Sequence, residues 1–304
     1  MLNNLLSIKN LSREIIEHII EQAFSFKEIN TRAIKKVPTL RGKTVVTCFY
    51  EPSTRTRMSF EIAAKRLSAD TVNLSKSGSS VEKGETLIDT VKNIEAMGLD
   101  LLIMRHPASG APFLAAEVLE CPVINAGDGI NEHPTQALLD AMTIKEKKGS
   151  LDGLNVLIAG DILHSRVARS NIYLLSKFNV NINIYCPPMM CPRGLEQFKV
   201  SVVSDFYEAV KKADVVMMLR VQMERQRRSM FPSVREYARF FGFSYDMLNN
   251  MKRDAILMHP GPINRGVELA HFAAESGHSV ILEQVENGVA LRMAVLYLLT
   301  GSNG

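Results

Sequence analysis

The sequence lacks the features that mark secreted and membrane proteins. Only four cysteines occur among the 304 residues, and they form no disulfide framework, so a reducing, cytoplasmic location is expected. The best candidate for a membrane helix, 289–299, is interrupted by Arg292 and falls short of the ~18 apolar residues that a membrane span needs. Residues 1–6 have no basic segment and too short an apolar core for a signal peptide. We therefore expect a cytoplasmic protein with no membrane contact.

An excess of one sign of charge is also missing. The 36 basic and 32 acidic residues leave a net charge of +4, which does not indicate a nucleic-acid or membrane surface. The basic cluster at 225–228 has no accompanying basic stripe or stacking aromatic residues, so a surface loop is the favoured interpretation. Cys186 and Cys191 are not followed by a second Cys or His pair at zinc-ligand spacing. The sequence thus predicts no nucleic-acid partner and no metal.

What the sequence does contain is an alternation of short strand-like runs with helical patterns of period near 3.6, which is typical of α/β architecture. A polar stretch that ends in glycine, 145–153, marks a domain boundary. The fold expected is two doubly wound parallel-sheet domains bridged by helices: 1–149, completed by a C-terminal helix at 284–304, and 150–283. The predicted strands are 44–50, 71–74, 100–104, 122–125, 155–159, 181–185, 214–219, 255–258 and 279–283.

The first chemical motif is Ser-Thr-Arg-Thr-Arg at 53–57, which follows a predicted strand and opens a predicted helix. Hydroxyls, guanidinium groups and the free N–H groups of a helix N-terminus together provide what a bound phosphate requires. An ordinary helix cap with solvated arginines is the alternative. A cap explains one Ser or Thr but not three hydroxyls interleaved with two arginines, so phosphate binding is favoured.

Further polar motifs follow predicted strands in the first half. Arg105 lies at the end of one strand, where a ligand contact and an ordinary ion pair are equally good explanations. His133 precedes a predicted helix, and a neutral His there can donate to an oxygen that gains negative charge, with Gln136 close by. A capping or packing role for His133 is the alternative. The segment around Ser79 and Lys83 is interpreted on its own as a surface loop.

The second half has the same arrangement. Residues 160–166 lie between a strand and a helix, but the glycine pattern of dinucleotide-binding proteins is absent, so a nicotinamide dehydrogenase is poorly supported. Arg220 and Gln222 follow another strand, and Pro260 and Gly261 belong to a loop whose shape is fixed by prolines. A phosphate site, a His–Gln pair and strand-end arginines together favour transfer of an acyl-like group from a phosphate carrier to a carboxylate-bearing acceptor.

Three motifs carry a family resemblance. Ser-Thr-Arg-Thr-Arg at 53–57, Lys-Gly-Glu-Thr at 83–86 and His-Pro-Thr-Gln at 133–136 resemble, in this order, motifs of the aspartate/ornithine carbamoyltransferase family. Arg-Val-Gln at 220–222 and His-Pro-Gly-Pro at 259–262 are similar to its aspartate branch. The ornithine enzymes instead carry a Ser-Met-Gly segment and a Cys in a late His-Cys-Leu-Pro motif, and neither occurs here.

The resemblance implies carbamoyl transfer from carbamoyl phosphate to L-aspartate, an early committed step of pyrimidine (UMP) biosynthesis, without a metal or cofactor. It implies that 1–149 binds carbamoyl phosphate and 150–283 binds aspartate. It also implies a homotrimer with active sites shared between subunits, the neighbouring chain contributing Ser79 and Lys83. A regulatory chain or dihydroorotase as a further partner stays open.

The resemblance also assigns roles to individual residues. The catalytic set is Arg55, Thr56, Lys83, Arg105 and His133. Aspartate contacts are assigned to Lys83, Arg166, Arg220 and Gln222. Carbamoyl phosphate contacts are assigned to Ser53, Thr54, Arg55, Thr56, Ser79, Lys83, Arg105, His133, Gln136, Pro260 and Gly261.

Two alternatives remain beside this function. One is a carbamoyltransferase for another amino acid, which Arg220 disfavours because a cationic side chain would be repelled by the guanidinium group. The other is a subunit that binds carbamoyl phosphate and serves assembly without catalysis. The intact phosphate motif, together with Lys83 and His133, argues against it.

Overall fold

The computed structural model describes residues 2–75, 84–222 and 233–301. The chain forms two compact units, one made of the residues up to Met142 together with those from Glu286 onward, and the other of Thr143–Val285. Each unit contains one parallel β-sheet flanked by helices, which confirms the predicted fold class. The predicted division at 149/150 and 283/284 into two substrate-binding domains stays a prediction.

The first unit is organised around a four-stranded parallel sheet with strand order β2-β1-β3-β4. Because β1 lies between β2 and β3, the chain winds in one direction to reach β2 and in the other to reach β3. Loops therefore diverge at the carboxyl ends of β1 and β3, which is where open α/β sheets bind ligands. The strands are β1 (Thr44–Phe49), β2 (Asp70–Ser75), β3 (Leu101–His106) and β4 (Val123–Asp128).

The helices of the first unit bury one apolar side each. In the first helix, Ile16, Ile19 and Ile20 are buried at the three- and four-residue spacing of an amphipathic helix. Ser12 caps this helix, since its hydroxyl accepts from the backbone N–H of Ile15. The helices are α1 (Arg13–Lys27), α2 (Thr54–Arg66), α3 (Leu87–Glu95), α4 (Ala111–Val118) and α5 (Pro134–Lys148), whose last residues belong to the second unit.

The second unit has a five-stranded parallel sheet with strand order β7-β6-β5-β8-β9. Its winding direction changes between β5 and β8, so a second crevice opens there. The strands are β5 (Asn155–Ala159), β6 (Asn181–Tyr185), β7 (Val200–Val202), β8 (Val215–Met218) and β9 (Ile256–Met258). The helices are α6 (Arg166–Leu175), α7 (Phe206–Lys212), α8 (Val234–Phe241), α9 (Tyr245–Asn249), α10 (His271–Ala274) and α11 (Ile281–Thr300), which ends in the first unit.

Three details differ from the sequence-based expectation. The predicted strand at 279–283 is wrong, because Ser279 makes a single bridge to Leu257 and α11 begins at Ile281; a short apolar run does not distinguish a strand from a helix. The strand β7 was missed, since it has only three residues and exposes two of them. The predicted break at 145–153 begins inside α5, whose last turn carries Lys145, Lys147 and Lys148, a favourable placement for cations. No helix of the described ranges is long and apolar enough to cross a membrane.

In each sheet, an aspartate directly before one strand accepts a hydrogen bond from the backbone N–H at the start of a neighbouring strand. Asp100 accepts from the backbone N–H of Thr44 at 2.8 Å, and Asp214 accepts from that of Asn155 at 2.8 Å. Lys252 also donates to Asp214 at 2.5 Å. Burial alone would raise the pKa of Asp214, but the hydrogen bonds from Lys252 and Asn155 outweigh it, and the pKa lies below its usual value.

We expect Asp214→Asn to lower the free energy of unfolding by about 1 kcal/mol at neutral pH, because the carboxylate hydrogen bonds are lost. The folded-state pKa of Asp214 is lowered, so its contribution is complete above the unfolded-state pKa near ~4 and is lost as the pH falls. Urea midpoints should therefore differ between the two proteins at neutral pH and converge in acid. The exposed Asp70 provides the control as Asp70→Asn. A difference that persists undiminished in acid would contradict the expectation.

Candidate active site

The predicted site residues of the first unit lie at the carboxyl edge of its sheet. Phe49 pairs with Arg105, and His106 pairs with Asp128, so β1, β3 and β4 end at the same level. The loop after β1 carries the 53–57 motif, β3 itself carries Arg105 near its end, and the loop after β4 carries His133. Polar groups that are distant in the sequence are therefore carried to one edge of the sheet.

The loop after β1 presents the N-terminus of α2. Ser53 is the N-terminal cap residue with an extended backbone, and within the described residues its hydroxyl makes no capping hydrogen bond. The N–H groups of the first helical turn have no partner within the helix, so they can bind an anion. Thr56 is buried at this turn, while Thr54 and Arg55 are exposed. The side-chain cap offered as the alternative is therefore not formed by Ser53, and phosphate binding at this motif stays a prediction.

Arg105, at the end of β3, is nearly buried and makes an ion pair. Its Nη2 lies 2.6 Å from Glu51 Oε1, and its Nη1 donates to the carbonyl of Ala126 at 3.3 Å. The ion pair offered as the alternative for Arg105 is thus present. The ion pair does not exclude a ligand, since a guanidinium group has five N–H donors. Glu51 orients the planar group toward the edge of the sheet.

His133 and Gln136 share the first turn of α5. His133 directly precedes the first helical residue, Pro134, and its carbonyl accepts from the N–H of Gln136 at 3.0 Å. His133 is buried at this helix N-terminus, where the dipole favours the neutral imidazole. A neutral imidazole can still donate one hydrogen bond. Gln136 is held by Asp140, to which its Nε2 donates at 2.9 Å.

In the second unit, Asp161 connects the loops that follow β5 and β8. This carboxylate is fully buried, accepts from the backbone N–H of Gln222 at 3.2 Å and lies 2.9 Å from His164 Nδ1. The two loops approach closely at Gly160, where an added Cβ would lie 2.8 Å from the carbonyl oxygen of Leu219. The positive φ of 126° at Gly160 also requires glycine.

These two loops carry the predicted carboxylate-binding arginines. Arg166 is the first residue of α6 and is buried, behind a cap in which Ser165 accepts from the N–H of Ala168. Arg220 follows the end of β8 by two residues and is half-buried. Guanidinium groups on adjacent loops of one sheet edge can bind an acceptor with two carboxylates.

The loop after β9 is fixed by a buried histidine. The His259 Nδ1 accepts from the N–H of Gly261 at 2.8 Å, so its Nε2 carries the hydrogen and faces Glu268 Oε1 at 3.2 Å. The backbone N–H of His259 donates to Gln284 at 3.0 Å. These bonds hold the carbonyl groups of Pro260 and Gly261 in place, beside the end of β8.

Sequence reasoning selected candidate ligand residues in and beside the strand-end loops but missed the acids that contact them. The missed group consists of acids near the motifs, of which Asp140, Asp161 and Glu268 are buried and Glu51 is half-buried. The only available signal was the position of Glu51 and Asp161 just after a strand. Ser79 and Lys83 lie outside the described residues, as does the basic cluster at 225–228. The acids are Glu51, Asp140, Asp161 and Glu268.

Both halves of the chain match one enzyme family. Residues 3–146 match the family described as aspartate/ornithine carbamoyltransferase, carbamoyl-P binding domain, and residues 152–299 match aspartate/ornithine carbamoyltransferase, Asp/Orn binding domain. The chain belongs to the aspartate/ornithine carbamoyltransferase family. The family resemblance seen in the sequence motifs is confirmed.

The relatives at 55% and 57% identity are aspartate enzymes, whereas an aspartate and an ornithine enzyme resemble the fold equally well. The chain is 55% identical to the aspartate carbamoyltransferase catalytic subunit of Syntrophus aciditrophicus, over 99% of this chain and 98% of the relative. It is 57% identical to that of Syntrophotalea carbinolica, over 98% and 95%. Aspartate transcarbamoylase from Trypanosoma cruzi, in complex with N-(phosphonacetyl)-L-aspartic acid, has a TM-score of 0.88 at 30% identity, covering 97% of this chain and 95% of that one. Ornithine carbamoyltransferase from Pyrococcus furiosus gives the same TM-score of 0.88 at 29% identity, covering 99% and 98%.

Proposed function

We propose that this chain transfers the carbamoyl group of carbamoyl phosphate to the amine of L-aspartate, forming N-carbamoyl-L-aspartate and phosphate. The observation that carries this conclusion is the 55% and 57% identity to aspartate carbamoyltransferase catalytic subunits over nearly the whole chain. The reaction is an early committed step of UMP biosynthesis, and we place it in the cytoplasm. Neither ornithine as acceptor nor a silent binding subunit is favoured by any particular observation.

Carbamoyl phosphate is assigned to the groups at the carboxyl edge of the first sheet. The first turn of α2 supplies N–H groups, hydroxyls and a guanidinium group for the phosphate. Arg105 reaches the phosphate and the carbonyl oxygen, which Thr56 and His133 also approach. Gln136 accepts from the carbamoyl NH2 group, as do the carbonyls of Pro260 and Gly261. The assigned phosphate contacts are Ser53, Thr54, Arg55, Thr56 and Arg105, with Ser79 and Lys83 from a neighbouring chain.

Aspartate is assigned to the loops of the second sheet. Arg166 binds the α-carboxylate, and Arg220 together with Gln222 binds the β-carboxylate. Asp161 supports this assignment, since it holds the Gln222 backbone and the loop before Arg166 in one arrangement. Lys83 is the additional cation proposed for this substrate.

The chemistry needs only these binding groups. The unprotonated amine attacks the carbonyl carbon, a C–N bond forms, and the negative charge on the tetrahedral oxyanion is stabilised by Thr56, Arg105 and His133. The C–O bond to phosphate then breaks, and the departing phosphate takes the amine proton. Holding two anionic reactants in contact supplies a large part of the rate increase.

The proposal is tested by phosphate release from carbamoyl phosphate with aspartate or ornithine as acceptor. We expect release with aspartate only, accompanied by N-carbamoylaspartate.

Arg220→Ala should raise the KM for aspartate roughly a hundredfold, because a charge-assisted pair is lost, while the KM for carbamoyl phosphate stays unchanged. The exposed Arg193 provides the matched control as Arg193→Ala. Release with ornithine alone would refute the acceptor assignment.

His133→Ala should lower kcat by roughly 10²–10³, the loss typical of removing one oxyanion donor. Inhibition by inorganic phosphate measures binding at the 53–57 motif, the phosphate cradle, separately. The Ki of inorganic phosphate should stay unchanged. A kcat loss below tenfold would leave His133 with only the capping or packing role.

The second part of the proposal concerns assembly: we infer a homotrimer in which a neighbouring chain supplies Ser79 and Lys83. Arg55→Ala and Lys83→Ala should each be inactive alone. When the two are dissociated and reassembled together, some sites receive an intact Arg55 from one chain and an intact Lys83 from the next, so activity should return in part. Each variant reassembled with itself is the control. No recovery in mixed assemblies of trimer mass would mean that each site is built from a single chain.

A further inference from the structure

Asp140 is a buried carboxylate to which the proposed reaction assigns no role. It lies one helical turn after Gln136 on α5 and is fully buried. Gln136 Nε2 donates to Asp140 Oδ1 at 2.9 Å, in a hydrogen bond that is itself buried. Burial of a carboxylate is unfavourable unless it has a counter-charge and hydrogen bonds. The position of Asp140 beside Gln136 therefore indicates a role for this carboxylate.

The chemistry of the pair fixes which way the Gln136 amide faces. A carboxylate only accepts hydrogen bonds, whereas a glutamine amide has a donating and an accepting end. The NH2 end of Gln136 must therefore face Asp140, and the Oε1 end must point away from it. In the described part of the chain no group donates to Oε1. A glutamine without this neighbour has no such constraint and can present its donor end instead.

Arg292 is a buried cation whose charge interacts with that of Asp140. The guanidinium group is buried, lies 5.0 Å from the ring of Phe60 and donates to the carbonyl of Gly288 at 2.9 Å. Burial lowers the pKa of Arg292 to about 10 and the Asp140 charge opposes that shift, so Arg292 remains protonated at neutral pH. A Cβ at Gly288 would lie 2.6 Å from Arg292 Nη1. A glycine inside α11 costs helix stability, and here it leaves room for the buried cation.

We propose that Asp140 is a positioning residue that sets donor specificity, by fixing Gln136 with its amide oxygen toward the NH2 group of the substrate. This inference rests on the proposed function. An acyl phosphate with a methyl group in place of NH2, such as acetyl phosphate, has the same shape but no donor. Its binding would place a methyl group against Oε1 and leave this acceptor without a donor, which is unfavourable. The Asp140–Gln136 pair thereby selects carbamoyl phosphate against acetyl phosphate.

The test is Asp140→Asn, which has the same shape but offers a donor as well as an acceptor, so the Gln136 amide is free to turn. We expect the KM for carbamoyl phosphate to rise roughly tenfold, the value of about one hydrogen bond. The Ki of acetyl phosphate should change less than the KM for carbamoyl phosphate, so the ratio of the two constants falls. The Ki of inorganic phosphate should be unchanged, which shows that the cradle is intact.

Two further variants keep the test decisive. Asp140→Asn leaves Arg292 buried without its counter-charge, which destabilises proteins strongly, so the charge-neutral double variant Asp140→Asn with Arg292→Met is measured beside it. In a Gln136→Ala background, Asp140→Asn should have no additional effect on the ratio, because Asp140 acts through Gln136.

A ratio that is unchanged in the single and double variants overturns the inference. An equal loss of affinity for carbamoyl phosphate, acetyl phosphate and inorganic phosphate also overturns it, since Asp140 would then support the cradle as a whole. These failures are distinguishable from failure of the proposed function, in which the unsubstituted protein itself would not use carbamoyl phosphate with aspartate.

Discussion

Parallel pairing of the strands is the constraint on which the rest of the structure depends. Strands that run in one direction must all end at the same edge of their sheet, so residues far apart in the chain become neighbours there. In the first sheet, pairing of Phe49 with Arg105 and of His106 with Asp128 sets the loops of three strands side by side. In the second sheet, β5 and β8 do the same for Arg166 and Arg220. The assigned substrate groups follow from strand order.

Acids in and beside these loops convert this proximity into fixed geometry. Glu51 pairs with Arg105, Asp161 accepts from the Gln222 backbone, and Glu268 faces the His259 ring. Each acid lies in or beside a loop that would otherwise have many conformations, and each meets a donor that offsets the cost of its burial. The residues assigned to ligands are thus held before a ligand arrives, which lowers the entropy lost on binding.

How far the sequence predicts the molecule depends on the kind of signal. The strands 155–159 and 181–185 were predicted with their observed bounds, because β-branched and apolar residues there end at clear turn residues. The motif at 53–57 was found because three hydroxyls and two arginines have no common structural explanation. Asp161 and Asp140 were not assigned roles, since a lone acid in a sequence does not reveal which distant donor it meets. The helical start of α11 was missed because its first residues are as apolar as those of a strand. Local pattern therefore predicts secondary-structure elements and nominates candidate site residues, whereas supporting contacts require the fold.

The interrupted first unit has a consequence for the order in which the protein is made. Its core includes Leu291, Ala294 and Val295 of α11, and Tyr297 packs edge-on against Phe26. A ribosome must therefore synthesise nearly the entire chain before this unit can close, although its first strand begins at Thr44. The second unit is continuous from Thr143 to Val285, so its chain is complete earlier. During translation the chain of the later-encoded unit is therefore complete before that of the first unit, whose packing includes α11.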